Sequence, residues 1–322
     1  MKRKIILSVF AFLFVAFLFS SLLYAETTKP IHLKDNLFSI DFVNETHGWV
    51  VGYWGTVLAT KDGGKTWAYQ ESGTEKILAS VDFVDDYNGW AVGYGPTIIN
   101  TTDGGATWSK QKSSEDVYLT GVCFVDKKTG WAVGEWGTIL YTEDGGADWK
   151  MQSGGSDAIL YDVDFVDPMH GWAVGEFGTI LATVDGGKTW KEQTSGVINV
   201  FFSCQAVDTQ NVWIAGIDSL VLHTQDGGET WEKVDTGLNK VIPFYEVYFC
   251  NSKNGVVGGQ GVVLYTDDGG ATWRPIIHDA NIDYIWLYDV VSSPEGTAWM
   301  VGERGAFFKS TDNFKGWQAV QY

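Results

Sequence analysis

The sequence predicts an all-β chain closed into a seven-bladed β-propeller, with four antiparallel strands per blade and an Asp-box turn between the third and fourth strands. Three observations carry this. The phrase Thr60-Lys61-Asp62-Gly63-Gly64-Lys65-Thr66-Trp67 recurs along the chain, and its tryptophans stand at 67, 108, 149, 190, 231, 273 and 317, spaced by 41, 41, 41, 41, 42 and 44 residues. A second phrase, Gly48-Trp49-Val50-Val51-Gly52, keeps the same period at Gly89-Trp90, Gly130-Trp131 and Gly171-Trp172, with looser versions at Val212-Trp213, Gly255-Val256 and Ala298-Trp299. No stretch beyond residue 26 shows a helical period of apolar residues. A unit of about 41 residues is the size of one propeller blade, and closing the units into a ring protects the sheet edges.

Each unit reads as four short strands rich in β-branched and aromatic residues and bounded by Gly and Asp. The first strand is of the type Val81-Asp82-Phe83-Val84, and the second is the Gly-Trp-Ala-Val-Gly phrase. The third is of the type Gly137-Thr138-Ile139-Leu140, and the fourth begins at the Thr-Trp pair and runs to a Gln such as Gln70. The aspartates of the connecting turn are Asp62, Asp103, Asp144, Asp185, Asp226, Asp268 and Asp312. A carboxylate there accepts hydrogen bonds from the turn's own amides, the following glycines supply positive φ, and the tryptophan covers the turn. One aspartate in every unit is turn chemistry, since a catalytic acid would occur once. Both chain ends complete a unit, so no strand is exchanged at closure, although residues 27–36 are long enough to add a strand to the last blade.

Residues 1–25 read as an export signal. Lys2, Arg3 and Lys4 precede an apolar run from Ile5 to Leu23, and Ala25 ends it. A basic head, an apolar middle and a small terminal residue describe a secretory signal peptide. The run is also about long enough to remain as an uncleaved anchor helix. Residues 26–36 follow as an N-terminal segment, and 37–322 as the propeller. The expected location is exported, periplasmic or extracellular, with a membrane tether as the alternative. No cysteine lies near the cut to take a lipid.

Composition narrows the partner classes. The 322 residues carry a formal charge of −18, which becomes −21 once the three basic residues of the signal are removed, so no basic footprint invites nucleic acid. The three cysteines cannot form a disulfide framework. Cys123, Cys204 and Cys250 fall in first strands and read as buried small hydrophobes, with a Cys204–Cys250 bond as the alternative. The five histidines show no metal-ligand spacing, and neither a metal nor a cofactor is expected.

Subtracting the repeat isolates the candidate site. Of 16 tryptophans, seven belong to the turn phrase and six to second strands, leaving Trp54, Trp136 and Trp286. Trp54 and Trp136 lie in loops between second and third strands, and Trp286 lies in the blade-to-blade connection from His278 to Leu287. Strands alternate in direction, so these loops share one face. The same loops carry Tyr53, Tyr94, Glu135, Glu176, Phe177, Asp218, Gln260, Glu303 and Arg304. Exposed aromatics beside carboxylates read as a recognition face; packing of the rings over the blade ends is the alternative.

The Asp phrase, repeated with Gly-Trp-Ala-Val-Gly and Gly-Thr-Ile-Leu, resembles the photosystem II stability and assembly factor propellers and their relatives in non-photosynthetic bacteria, over residues 37–322. The resemblance implies an exported seven-bladed propeller that acts without catalysis. Its photosynthetic members help assemble the reaction-centre core by binding a newly made membrane subunit through an arginine-rich patch. This chain has only Arg3, Arg274 and Arg304. Arg304 sits in the family-like loop Gly302-Glu303-Arg304-Gly305, where the corresponding loops hold Trp54, Trp136 and Phe177. A non-photosynthetic bacterial relative is therefore expected. It would be a monomer that docks a protein partner, a membrane or exported subunit, through Trp54, Trp136, Trp286, Phe177, Tyr53, Tyr94, Glu135, Glu176, Glu303 and Arg304.

Two other classes compete. Sialidases share the aspartate turn, and that resemblance implies a three-arginine clamp, for which only two arginines survive export. Xyloglucan-active endoglucanases use two such propellers with a cleft between them, whereas this chain has one. A paired-carboxylate site among Glu135, Glu176 and Asp218 keeps glycoside hydrolysis open as an alternative. So does carbohydrate binding without catalysis, since flat rings beside carboxylates suit neutral sugars.

Overall fold

The computed structural model describes residues 34–278, 282, 285–293 and 296–320. The apolar run Ile5–Leu23 and most of the N-terminal segment lie outside the described residues. The described residues form seven sheets, each with four antiparallel strands that follow one another in sequence order, and the seventh sheet carries one further strand. Blade 1 consists of Leu37–Phe42, Gly48–Gly52, Val57–Thr60 and Ala68–Tyr69, and blades 2 to 7 repeat this plan. Helical structure among the described residues is confined to single 3-10 turns such as Tyr53–Gly55. First strands lie innermost and contact each other around the ring, including the first strands of blades 1 and 7. Second strands are buried along their whole length, and fourth strands form the exposed rim.

The repeated phrases have a packing cause. Phe83, last residue of the first strand of blade 2, stacks on Trp49 of blade 1 with ring centroids 3.6 Å apart. Its edge meets Trp108, the turn tryptophan of its own blade. Phe42, Phe124, Phe165 and Phe249 repeat this sandwich with Trp299, Trp90, Trp131 and Trp213. Each such ring adds about 0.5–1.5 kcal/mol beyond the area it buries. The ring lies over the residue paired with it in the second strand, which is why that residue is Gly: a Cβ on Gly130 would stand 2.5 Å from Phe124. Ala206 and Ser292 replace the Phe in blades 5 and 7, and there Val212 and Ala298 replace the Gly.

The aspartate turns are self-contained. Asp62 Oδ1 accepts from Thr66 N (2.9 Å) and from Thr60 Oγ1, while Asp62 Oδ2 accepts from Thr66 Oγ1. The buried Thr60 hydroxyl in turn accepts from Gly64 N (2.9 Å). Gly64 has φ +79°, which Gly adopts without the cost of a Cβ. These bonds hold the Asp62 carboxyl below the usual carboxylate range. In blade 7 the two glycines become Asn313 and Phe314, which take the same left-handed conformation. The Gln that ends the fourth strand links blades: Gln70 Nε2 donates to Gly104 O (2.8 Å), and Gln70 Oε1 accepts from Trp108 Nε1. Gln111, Gln152 and Gln193 repeat the link to the next blade.

The ring closes through side chains. Asp289 Oδ2 accepts from Ile40 N (2.8 Å), Lys309 Nζ donates to Gly63 O (2.8 Å), and Glu45 accepts from Ser293 and Thr297. Phe42 stacks on Trp299 as at the other boundaries. The last blade has a fifth strand, in which Ile277–His278 pairs in parallel with Gly316–Ala319; residues 27–33, which could add another, lie outside the described residues. Residues 34–36 are not in a strand. The Cys204–Cys250 alternative is corrected. All three cysteines are free, because Cys204 packs between blades 4 and 5 whereas Cys250, just past its strand, packs between blades 6 and 7.

Substituting Gly130→Ala is expected to cost about 1–3 kcal/mol by overpacking against Phe124. In a Phe124→Ala background the same substitution should cost much less. Urea denaturation of the four proteins in this cycle measures the coupling.

Candidate functional site

The two faces of the ring differ in construction. The aspartate turns bond to the loops between first and second strands, as in Gly63 N to Thr46 O (3.0 Å) and Gly104 N to Tyr87 O (2.9 Å). The loops between second and third strands bond instead to the blade connections, as in Tyr53 N to Asn36 O (3.2 Å) and Gly178 N to Asn199 O (2.7 Å). The candidate residues all lie on this second face.

Its loops share one turn. In blade 1 Tyr53–Gly55 form a single 3-10 turn, with Thr56 N donating to Tyr53 O (3.0 Å). The middle residue of this turn has a left-handed backbone: φ is +57° at Trp54, +58° at Trp136, +59° at Phe177 and +56° at Arg304. Blades 2 and 6 place Gly95 and Gly261 in the equivalent loops, also at positive φ. Left-handed backbone costs a residue with a Cβ about 1–2 kcal/mol. Packing does not offset that cost, since Trp54, Trp136 and Phe177 are 70%, 72% and 74% exposed.

The remaining candidates occupy distinct places. Tyr53 is half-buried and meets Phe38 edge-on, while Tyr94 is exposed and meets Tyr118. Trp286 lies against Tyr245 and bridges to Gln260, so it also packs over its blade. Ile198 and Val241, in blade connections on the same face, are more exposed than any of the rings, and the aromatic subtraction did not find them. The acidic candidates are held locally. Glu135 accepts from Tyr118 N (3.2 Å), Asp218 from Asn199 Nδ2 (2.9 Å), and Glu303 from Arg304 Nε (3.2 Å). No described hydrogen bond joins two of the carboxylates Glu135, Glu176 and Asp218.

Below this face the channel has a collar and an acidic wall. The second residue of each first strand is Phe38, Ala79, Thr120, Tyr161, Phe202, Tyr245 or Tyr288. The rings of Tyr53, Phe38, Tyr288, Tyr245, Phe202 and Tyr161 touch in succession with centroids 5.0–5.6 Å apart. The collar is interrupted at Ala79 and Thr120. Asp41, Asp82, Asp162, Asp164, Glu246 and Asp289 line the channel, with about 300 Å³ between them. Several bind the next blade: Asp41 Oδ2 accepts from Phe83 N (2.7 Å) and Asp164 Oδ2 from Ala206 N (2.7 Å). Burial raises all six carboxyls, Asp41 and Asp162 to about 6 and Asp289 to about 7. Sequence reasoning gave these residues no role. A signal was available for Asp41, Asp82 and Asp164, because an Asp between a core-facing Ile or Val and Phe of one strand points to the opposite side from both.

These features define a class, the seven-bladed propellers built from aspartate-turn repeats. The particular family is shown by sequence: the model of the photosynthesis system II assembly factor YCF48 matches residues 24–75, 67–154 and 149–244, and the chain belongs to that family. No curated protein matches the chain. A solved structure of YCF48 bound to D1 peptide superposes with a TM-score of 0.74 at 20% identity, covering 88% of this chain and 94% of the other. YCF48 from Cyanidioschyzon merolae gives 0.73 at 23% identity, over 87% and 97%. The same fold recurs in the GH74 enzyme of Niastella koreensis, with a TM-score of 0.73 at 13% identity, over 89% of this chain and 54% of that enzyme. At such identities these likenesses are of fold alone.

Two outcomes follow from the geometry. Replacing Trp54, Trp136 or Phe177 by Gly should leave stability within about 1 kcal/mol of wild type, since the strain relieved offsets the flexibility gained. A packing role would cost about 3–5 kcal/mol; thermal and urea unfolding distinguish the two. The channel carboxyls bind more protons folded than unfolded, so as the pH falls from about 7 to about 5 they raise stability. His223, lowered to about 4 by burial, opposes this, and the lowered carboxyls of the turns, such as Asp62, Asp226 and Asp268, oppose it as the pH approaches 4. The melting temperature should be higher at pH 5 than at pH 8, and Asp289→Asn should flatten the difference.

Proposed function

We propose that this protein is an exported, non-catalytic scaffold that docks a protein partner on the face carrying Trp54, Trp136 and Phe177, and so aids the assembly or stability of an envelope complex. The observation that carries this reading is the turn geometry. Three large rings are held almost fully exposed on a left-handed backbone that other blades give to Gly. Strain of this kind persists where a contact made in the complex selects for it. Family membership supports the reading, as does the solved relative that is bound to a peptide. Exposed aromatic anchors supply most of the affinity of such interfaces, and the acidic charge favours a basic partner and speeds its capture at low salt.

The test is affinity capture from the native envelope at low salt, read by mass spectrometry. The proteins compared are wild type, a Trp54→Gly/Trp136→Gly double variant, and a Tyr87→Ser variant of the opposite face. A membrane or exported protein reduced ten-fold or more by the double variant and unaffected by Tyr87→Ser is the expected result. Equal recovery by all three would sink the reading, and retention of neutral glycans by wild type would move it to carbohydrate binding.

A further inference from the structure

The docking face is uneven. Over blade 2 it opens into a groove of about 1250 Å³, with walls supplied by blades 1, 2 and 3. Trp54 stands on one side, and Tyr118 and Glu135 on the other. Between them the loop holds Gly95, and a side chain built at that position would meet nothing within 4 Å. The space above blade 2 is therefore open where blades 1 and 3 raise tryptophans. An occupant that touches three successive blades must be elongated.

The lining also has a chemical bias. Glu71, Glu75, Asp116 and Glu135 face only two cations, Lys76 and Lys110. The aromatic surface is exposed beside these carboxylates, with Tyr94 between Trp54 and Tyr118. Lys76 Nζ already stands 5.5 Å from the centre of the Tyr94 ring, so the groove accommodates an ammonium over an aromatic face. Cation–π contact and carboxylate pairing both select positive side chains, and the flat rings select aromatic or apolar ones. An anionic occupant would meet the excess of carboxylates.

We propose that this groove takes an extended segment of the partner in which Lys or Arg side chains alternate with aromatic ones. The proposal rests on the protein-docking reading above and narrows it to one site and one peptide chemistry. Trp54, Tyr94 and the four carboxylates hold the segment, while Trp136 and Phe177 contact other parts of the partner.

Fluorescence anisotropy of the full chain at low salt tests this with three labelled peptides, (Lys-Tyr-Gly)3, (Gln-Tyr-Gly)3 and (Glu-Tyr-Gly)3. The lysine peptide should bind at least ten-fold more tightly than the glutamine peptide and lose affinity as salt rises, and the glutamate peptide should not bind. Trp54→Gly and the double variant Glu75→Gln/Glu135→Gln should each weaken the lysine peptide ten-fold or more. The amide introduced by Glu135→Gln keeps an acceptor for Tyr118 N, and a glycine suits the left-handed turn in Trp54→Gly, so both variants fold; circular dichroism checks this. Tyr87→Ser, on the opposite face, should change nothing. No preference for the lysine peptide, or an unchanged affinity in Trp54→Gly, overturns the proposal. If the peptides fail while envelope capture still depends on Trp136 and Phe177, the groove is wrong and the docking face stands. If capture depends only on Tyr87, both fall.

Discussion

The fold depends on one repeated contact, a phenylalanine pressed between the tryptophan of the preceding blade and the turn tryptophan of its own. It fixes the distance between neighbouring sheets and ties each blade to the aspartate turn that caps it. It also sets a constraint on the second strand, which must be Gly where the ring lies over it. The two blades that lack the Phe also lack the Gly, which shows that the pair acts as one unit. Trp172, which has no Phe to meet in blade 5, instead shares a cluster with Cys204. The contact between Phe42 and Trp299 is the same as the internal ones, so closing the ring needs no exchanged strand.

A ring held this firmly lets its two faces diverge. One face is occupied by aspartate turns whose carboxylates are saturated by their own loops. The other carries single-turn loops whose middle position is free to vary, because its side chain points into solvent and the turn is satisfied by backbone bonds alone. Aromatic rings accumulate at that variable position, and the blade connections add Ile198 and Val241. The channel beneath contributes rigidity: its carboxyls and hydroxyls accept amide hydrogens from neighbouring first strands, and burial raises those carboxyls above their ordinary range. The carboxylates on the open surface are those of the outer loops, such as Glu71, Glu75, Asp116 and Glu135 along the groove over blade 2.

Much of this was legible beforehand. The period of 41 residues gave the blades, strand alternation gave the face shared by Trp54, Trp136 and Phe177, and removing the repeated tryptophans left the exposed ones. Trp286 was also isolated, although it packs on Tyr245, because subtraction tests whether a ring is repeated and not whether it is buried. The channel carboxyls were passed over because a repeated Asp in a strand looks like any polar residue on an outward face until the sheets are set in a ring. The source of the fifth strand in blade 7 was missed for a related reason, since parallel pairing between Ile277–His278 and Gly316–Ala319 leaves no local mark.

Sequence alone determined the blade, its number and the family, because these follow from contacts repeated at a fixed interval, and each repetition writes the same residues again. Tertiary structure decided what is not repeated. It set which first-strand side chains meet in the channel, where the aromatic collar is interrupted, and how three neighbouring loops enclose a groove over Gly95. Those features depend on distances between residues of different blades, which the ring fixes and linear spacing does not record.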